Sequence, residues 1–245
     1  MLTVYEDEAV RVVLACEADA PVVFSCEHAS GVIPEGFELS DSDKRLLGQH
    51  WAVDLGAAEL TESLVKTVGA VGILAKASRL VIDLNRPLDA PTLFRQEADG
   101  VIIDLNRDLQ PDQVQDRIRR FYKSYHQEMD RWIGGMKDAT VFSLHSFTPC
   151  YEGAVREIEL GVLFDENPEE AEQLCAFLLK SGYVCALNEP WTGKDGLMYS
   201  PLSHAQTFGR KSLELEVRQD RLVDPEWRER FVPILVSGLR HIGFI

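Results

Sequence analysis

Several ionisable residues in this chain directly follow short apolar runs, where an open α/β sheet presents reactive side chains. Glu27 and His28 follow the run ending at Cys26, and His145 closes the run that starts at Thr140. Asp83, Asn85 and Arg86 follow Leu80-Val-Ile82, while Glu216 and Arg218 lie at the end of a run beginning at Leu213. Asp54 falls in the first turn of a helical pattern that opens near Trp51. Two histidines and a carboxylate converging on one edge make the ligand set of a catalytic zinc, which keeps a fourth position for water. A further carboxylate off the metal can act as general base. An arginine nearby can hold a substrate carboxylate in a two-pronged fork. The residues are scattered and no His-Glu-x-x-His segment is present, so spacing alone does not assign the roles.

Positioning such residues requires alternating strands and helices. Residues 10–16, 21–26, 71–74, 80–82, 140–145, 160–164, 184–187 and 213–217 read as strands. The run 21–26 is nearly all apolar, as expected of a strand buried on both faces. Helical patterns cover 41–47, 51–68, 112–133, 167–179 and 225–241. In 112–133, Val114, Ile118, Phe121, Tyr122, Tyr125, Met129 and Trp132 recur at helical spacing. Asn167 and Pro168 read as the cap and first position of their helix. Residues 83–111, rich in Pro, Asp and Gly, read as an extended loop, and loops of that length are often functional. Asp83-Leu-Asn-Arg86 recurs as Asp104-Leu-Asn-Arg107, but four residues do not make a structural repeat, and Arg107 reads as a loop residue. The alternation predicts an α/β fold, with a mixed, mostly parallel sheet and helices on both faces. No linker-like shift in composition interrupts 1–245, which reads as a single domain.

The chain has 245 residues, 45% of them hydrophobic, which excludes a disordered or collagen-like chain. It carries 40 Asp and Glu against 25 Lys and Arg, for a formal net charge of -15. That balance argues against nucleic acid and anionic membrane as partners. It also raises a question, because the overall field repels an anionic substrate. Cys16, Cys26, Cys150, Cys175 and Cys185 are odd in number and form no Cys-x-x-Cys pair, so reduced thiols are expected. The N-terminal segment is acidic where a signal peptide carries lysines, and no apolar run approaches the roughly 20 residues of a membrane span. The expected location is the cytoplasm.

Eight segments, in order along the chain, resemble the N-formylglutamate amidohydrolase family. They are Ser25-Cys-Glu-His-Ala-Ser-Gly31, Trp51-Ala-Val-Asp-Leu-Gly-Ala57, Ser78-Arg-Leu-Val-Ile-Asp-Leu-Asn-Arg-Pro87 and Tyr122-Lys-Ser-Tyr-His126. The others are Leu144-His-Ser-Phe-Thr-Pro149, Leu160-Gly-Val-Leu-Phe-Asp165, Asn188-Glu-Pro190 and Leu215-Glu-Val-Arg-Gln-Asp220. The better-known deformylases carry Pro-His-Ser-Gly where this chain has Glu27-His-Ala-Ser-Gly31. The resemblance implies a phosphorylase/hydrolase-like fold related to zinc carboxypeptidases, and a zinc-dependent amidohydrolase. On matching positions it implies His28, Asp54 and His145 as metal ligands and Glu216 as general base. Arg218 lies in a Glu-x-Arg context and is implied as a second catalytic residue. Asn85 and Arg86 are implied to clamp a substrate carboxylate. Ser146 and His126 lie in matching segments and are expected at the substrate.

Some alternatives stay open on the residues alone. Glu27 competes with Asp54 as third ligand, although Glu27 and His28 are adjacent and point apart on a continuous strand. Asp54 can instead be an acid stabilised by a helix N-terminus. Glu214 and Glu216 share a strand face, and the one nearer the carboxyl end, Glu216, is expected in the crevice. Cys26 sits two residues from His28, the wrong geometry for a nucleophile and its base. His204 follows a Pro-containing turn and is a further candidate near the site. The expected substrate is a small anionic N-acyl amino acid, N-formyl-L-glutamate first, giving formate and L-glutamate in histidine breakdown. The rival readings are another N-acyl amino acid, a peptidoglycan-type amide, or a non-catalytic carboxylate-binding module. Another divalent metal can replace zinc in such a ligand set, and the oligomeric state is open. The net charge does not exclude an anion here, because a divalent cation with Arg86 and Arg218 would make the cleft locally positive.

Overall fold

The computed structural model describes residues 2–245. The strands are β1 (Leu2–Glu6), β2 (Val10–Ala15), β3 (Val22–Cys26), β4 (Val71–Ala75), β5 (Glu97–Ala98), β6 (Val101–Ile102), β7 (Thr140–Phe147), β8 (Cys150–Tyr151), β9 (Ala154–Val155), β10 (Leu160–Leu163), β11 (Cys185–Leu187) and β12 (Ser212–Arg218). The α-helices are α1 (Asp41–Leu46), α2 (Ala57–Val68), α3 (Pro111–Arg117), α4 (Lys123–Gly135), α5 (Pro168–Lys180), α6 (Tyr199–Phe208), α7 (Gln219–Leu222) and α8 (Pro225–His241).

Eight strands form one sheet in the order β1-β2-β4-β3-β7-β12-β10-β11. The centre, β4-β3-β7-β12, is parallel throughout. The pairs β1-β2, β2-β4 and β10-β12 are antiparallel, and β10-β11 is parallel. The expected mixed, mostly parallel sheet is therefore present. β3, β4, β7 and β10 are buried along their whole length, which explains their continuous apolar runs. The chain leaves β3 first for β4 on one side, then returns to place β7 on the other. That reversal opens a crevice at the carboxyl ends of β3 and β7, where α/β sheets bind ligands.

Each face of the sheet has its own core. On one, Phe24, Phe142, Leu144 and Leu215 pack on Leu60 and Leu64 of α2, Leu174 of α5 and Phe231 of α8. On the other, Val23, Ile73 and Val141 pack on Phe121 and on Tyr125, Met129 and Ile133 of α4. Strand alternation turns Ser25, Ser143, His145, Glu214 and Glu216 towards the α4 face, and all are buried. A polar column thus runs through the second core and ends at the crevice.

The structure departs from the sequence expectation in several places. Helix 51–68 begins only at Ala57, because Gly56 takes a left-handed conformation at its start. Asp54 therefore lies in the turn before the helix, not in its first turn. Residues 80–82 form no strand; Leu80, Val81 and Ile82 are buried in the α4-side core but pair with no other strand. Their apolar character reflects burial of a loop. Residues 83–111 hold the β5-β6 hairpin and a 3₁₀ turn at Asp104–Asn106, and α6 arises where no element was expected. The 112–133 helix runs from α3 to α4 through a π-helical turn at Ile118–Tyr122. Helix α8 and the Asn167-Pro168 start of α5 match the sequence reading. The Asn167 side chain does not cap α5, however; it accepts from Ser212 N of β12.

Candidate active site

The turn after β3 bends the chain, so Glu27 and His28 both reach the crevice. His28 Nδ1 stands 3.4 Å from Asp54 Oδ2, and His145 Nδ1 stands 2.9 Å from the same oxygen. The two imidazoles meet edge to face with centroids 4.7 Å apart. His28, Asp54 and His145 can each offer one atom to a common point, these atoms lying within 4.8 Å of one another. The backbone secures Asp54, whose N–H donates to His28 O at 3.0 Å while Oδ2 accepts from Ser146 N at 3.2 Å.

The other nitrogen of each histidine meets a carboxylate. His28 Nε2 lies 2.7 Å from Asp83 Oδ1, and His145 Nε2 lies 3.0 Å from Glu27 Oε2. Such contacts fix tautomer and ring orientation in metal-binding histidines. The structure places Asp54, not Glu27, between the two inward Nδ1 atoms. Glu27 is held behind His145, accepting from Ser143 Oγ at 2.6 Å and from Tyr125 Oη at 3.1 Å.

Glu214 and Glu216 both line the cavity above the cluster, which has a volume of about 280 Å³. Glu214 Oε2 accepts from Asn85 Nδ2 at 3.1 Å and lies 3.5 Å from His145 Nε2. Glu216 is buried, and its Oε2 has no hydrogen-bond partner. The more terminal glutamate is thus the one with a free oxygen. Asn85 Oδ1 accepts from Ser200 N at 2.9 Å, so its amide joins β12 to the start of α6. Arg86 lines the cavity with Nη1 donating to Asn85 O and Leu197 O, and it makes no ion pair among the described residues. Ser146 also lines the cavity, and its buried Oγ has no partner.

Two expected site residues lie elsewhere. Arg218 does not line the cavity. It pairs with Asp220 at 2.7 Å and donates to the carbonyls of Arg156, Glu157 and Ile158, so the end of β12 uses it to hold the neighbouring segment. His126 packs behind the Arg86 segment, with its Nδ1 2.7 Å from His204 Nε2; His204 Nδ1 in turn lies 2.7 Å from Asp130 Oδ1. Tyr122, one turn before His126, donates from Oη to Arg86 O at 2.9 Å. His126 and His204 thus brace the wall from behind.

A sequence model of the N-formylglutamate amidohydrolase family matches residues 20–223. The chain belongs to that family. The match spans β3 to α7 and so contains every residue of the cluster. Among solved structures, the gene product Atu2144 of Agrobacterium tumefaciens is 28% identical, with 97% of each chain covered and a TM-score of 0.86. An N-formylglutamate amidohydrolase from Ralstonia eutropha JMP134 is 21% identical, with 98% of each chain covered and a TM-score of 0.76. At that identity the second likeness speaks for the fold. Comparison with curated proteins gave no match.

In this family member the site concentrates buried acidic charge. Glu27, Asp54, Asp83, Glu214 and Glu216 are all buried around two histidines and Arg79. Burial pushes the Glu216 carboxyl up to about 8, Asp54 and Glu214 adding to the effect and His145 and Arg79 opposing it. Burial acts the same way on Glu27 and Asp83, but there the histidines win. The contact with His145 holds Glu27 well below the usual carboxylate range, and His28 with Arg79 does so for Asp83. Burial opposes a charged His145, yet Glu214, Asp54 and Glu27 together push it well above its ordinary value. His28 Nδ1 is buried with no hydrogen bond, facing Asp54 and His145. A buried imidazole nitrogen left free beside a carboxylate and a second imidazole fits a divalent metal ligand.

Arg79 and His50 were not singled out in the sequence. Arg79 reaches Asp54 Oδ1 at 3.4 Å and Asp83 Oδ2 at 3.1 Å, while His50 Nδ1 lies 3.9 Å from Asp54 Oδ1. Burial is the main cause pushing His50 down to about 4. The only hint of either was its place in or beside the matching segments Ser78-Arg-Leu and Trp51-Ala-Val-Asp.

Proposed function

We propose that this chain hydrolyses the N-acyl amide of an amino acid, N-formyl-L-glutamate first, to formate and L-glutamate. One observation carries the reading: two inward Nδ1 atoms and Asp54 Oδ2 converge, while each outward Nε2 is tied to a carboxylate. His28, Asp54 and His145 would hold a divalent metal, zinc first. When bound, it supplies Lewis acidity to the acyl carbonyl and to a water molecule.

The chain's own groups do the remaining work. Glu216, with its free Oε2, takes the proton of the attacking water and delivers it to the departing amine. Arg86 receives a carboxylate of the substrate and sets its orientation. Ser146 Oγ has no partner and offers a hydrogen bond to the substrate. Asn85 acts by holding Glu214 and Ser200 in register beside it. The guanidinium beside Asp54 is Arg79, which takes the cationic place expected of Arg218.

The test is metal content together with formate release, with and without chelator. The expected result is one metal per chain and activity that chelation abolishes. Glu216→Gln should keep the metal and lose about 10²- to 10⁴-fold in kcat, while His145→Ala should lose the metal. A protein that hydrolyses N-formylglutamate at full rate after complete metal removal would sink the mechanism.

A further inference from the structure

Two histidines behind the Arg86 wall have no part in the proposed chemistry. His126 and Asp130 lie one turn apart on α4, and His204 lies on α6. His204 Nδ1 stands 2.7 Å from Asp130 Oδ1, and His204 Nε2 stands 2.7 Å from His126 Nδ1. The His126 ring packs among Tyr122, Tyr125 and Tyr199, and its Nε2 is buried with no hydrogen-bond partner. The Asp130 side chain is 52% exposed, so this polar chain runs from the surface inward.

The contacts admit one order of protons. A carboxylate only accepts, so His204 carries its proton on Nδ1. The other tautomer would set two acceptors 2.7 Å apart. Burial is the main cause holding both imidazoles below their ordinary value. At His126 the neighbouring His204 adds to it, Glu27 and the Leu84 main chain oppose it, and the result is about 3. At His204, Asp130 and Glu27 oppose burial without overcoming it. Both rings are therefore neutral at pH 7. His204 Nε2 then accepts, His126 Nδ1 donates, and His126 Nε2 keeps a bare lone pair, which matches its lack of a partner. Asp130 thus sets the tautomer of a ring that it does not touch.

The same two helices hold the wall. Ser200, in the first turn of α6, donates its N–H to Asn85 Oδ1 at 2.9 Å, and Leu197 O, just before α6, accepts from Arg86 Nη1 at 3.0 Å. Tyr122, at the end of the π turn that leads into α4, donates to Arg86 O at 2.9 Å. Apolar contacts between helices tolerate small slips, whereas a slip of α6 along α4 would break both 2.7 Å contacts and leave buried polar atoms unpaired. We propose that Asp130, His204 and His126 are positioning residues that key α6 to α4 in one proton order, and so hold Asn85 and Arg86 in place through Ser200 and Leu197. The kinetic consequence rests on the amidohydrolase reading; the proton order and the hold on Asn85 do not.

The test compares metal-loaded wild type with Asp130→Asn and Asp130→Glu, both at a half-exposed position where folding should survive. Long-range proton–nitrogen NMR on histidine-labelled protein reads which ring nitrogen is protonated. Amide exchange at Ser200 reads the bond to Asn85, because an N–H in a first helical turn has no partner within the helix. Wild type should carry the proton on Nδ1 of both His204 and His126. Asp130→Asn should mix the tautomers of both rings and speed Ser200 exchange about 3- to 10-fold. It should raise KM for N-formylglutamate by a similar factor with kcat near wild type, and Asp130→Glu should restore part of each. A wild-type His126 protonated on Nε2 overturns the proposal. So does an Asp130→Asn variant with mixed tautomers but unchanged Ser200 exchange. If tautomers and exchange respond as expected but no formyl amino acid is hydrolysed, the positioning role stands and the reaction assignment falls.

Discussion

At the residue scale, the candidate site is a problem of buried charge. Five carboxylates lie inside the protein at the crevice, and each except Glu216 meets a histidine, an arginine or a hydrogen-bond donor. An unpaired buried charge is costly, so such a network holds only if its partners are complete. Glu27 tests this logic, because it touches His145 from behind and not the proposed metal position. Glu27→Gln should leave the protein folded and weaken metal affinity about 10- to 100-fold. Competition with a chromophoric chelator measures it, and an unchanged dissociation constant would deny Glu27 a part in orienting His145. The histidines and Glu216 were legible as residues at strand ends. The choice between Asp54 and Glu27 was not, because it depends on which nitrogen of His145 each one faces. Arg218 was misread because neighbouring carbonyls, out of sight in a linear sequence, claim its guanidinium.

At the element scale, turns decide where the ligands point. Gly56 has φ 82° at the start of α2, and a Cβ there would stand 2.6 Å from Leu222 O of α7. The close approach of α7 and the left-handed backbone together set the turn that carries Asp54. Gly56→Ala should therefore cost roughly 1–2 kcal/mol for the backbone alone, with more for the collision with Leu222. Urea unfolding together with metal titration should show lower stability and weaker metal binding in the same variant. Normal stability would mean the turn adapts without cost. The π-helical turn before α4 has a related effect: it precedes the stretch in which Tyr125 reaches Glu27, and it contains Tyr122, which holds Arg86 O. Helical periodicity found the helix, but an inserted π turn leaves no periodic signature across so few residues.

At the scale of the whole molecule, the charge of -15 is unevenly placed. Six of the 40 acids are buried, and all but Asp43 are at the crevice. The expected positive pocket is therefore divided: an acidic floor around His28 and His145, and a cationic wall of Arg86 and Arg95. Under the proposed function a divalent cation would sit on that floor and would couple binding to folding. At free metal about 100 times its dissociation constant, binding adds about 2.7 kcal/mol of stability. For a chain of this size that corresponds to roughly 5–10 °C in Tm, so chelation should lower Tm by that amount and zinc should restore it. No helix among the described residues is long and apolar enough to cross a membrane.

The sequence by itself determined the fold class, the helices with clear caps or periodicity, and the inventory of reactive residues. It could do so because hydrophobic period and capping chemistry are local properties. The eight segments also carried the family, since each keeps its residues together along the chain. Only the tertiary structure decided which groups meet. Asp54, Asp83 and Arg79 come from loops that no period describes; Asp83 reaches His28 across 55 positions, and Arg79 bridges Asp54 and Asp83. The chain from Asp130 through His204 to His126 had no local signal as a unit. It exists only once α6 packs on α4, because His204 lies 74 positions from Asp130 and 78 from His126.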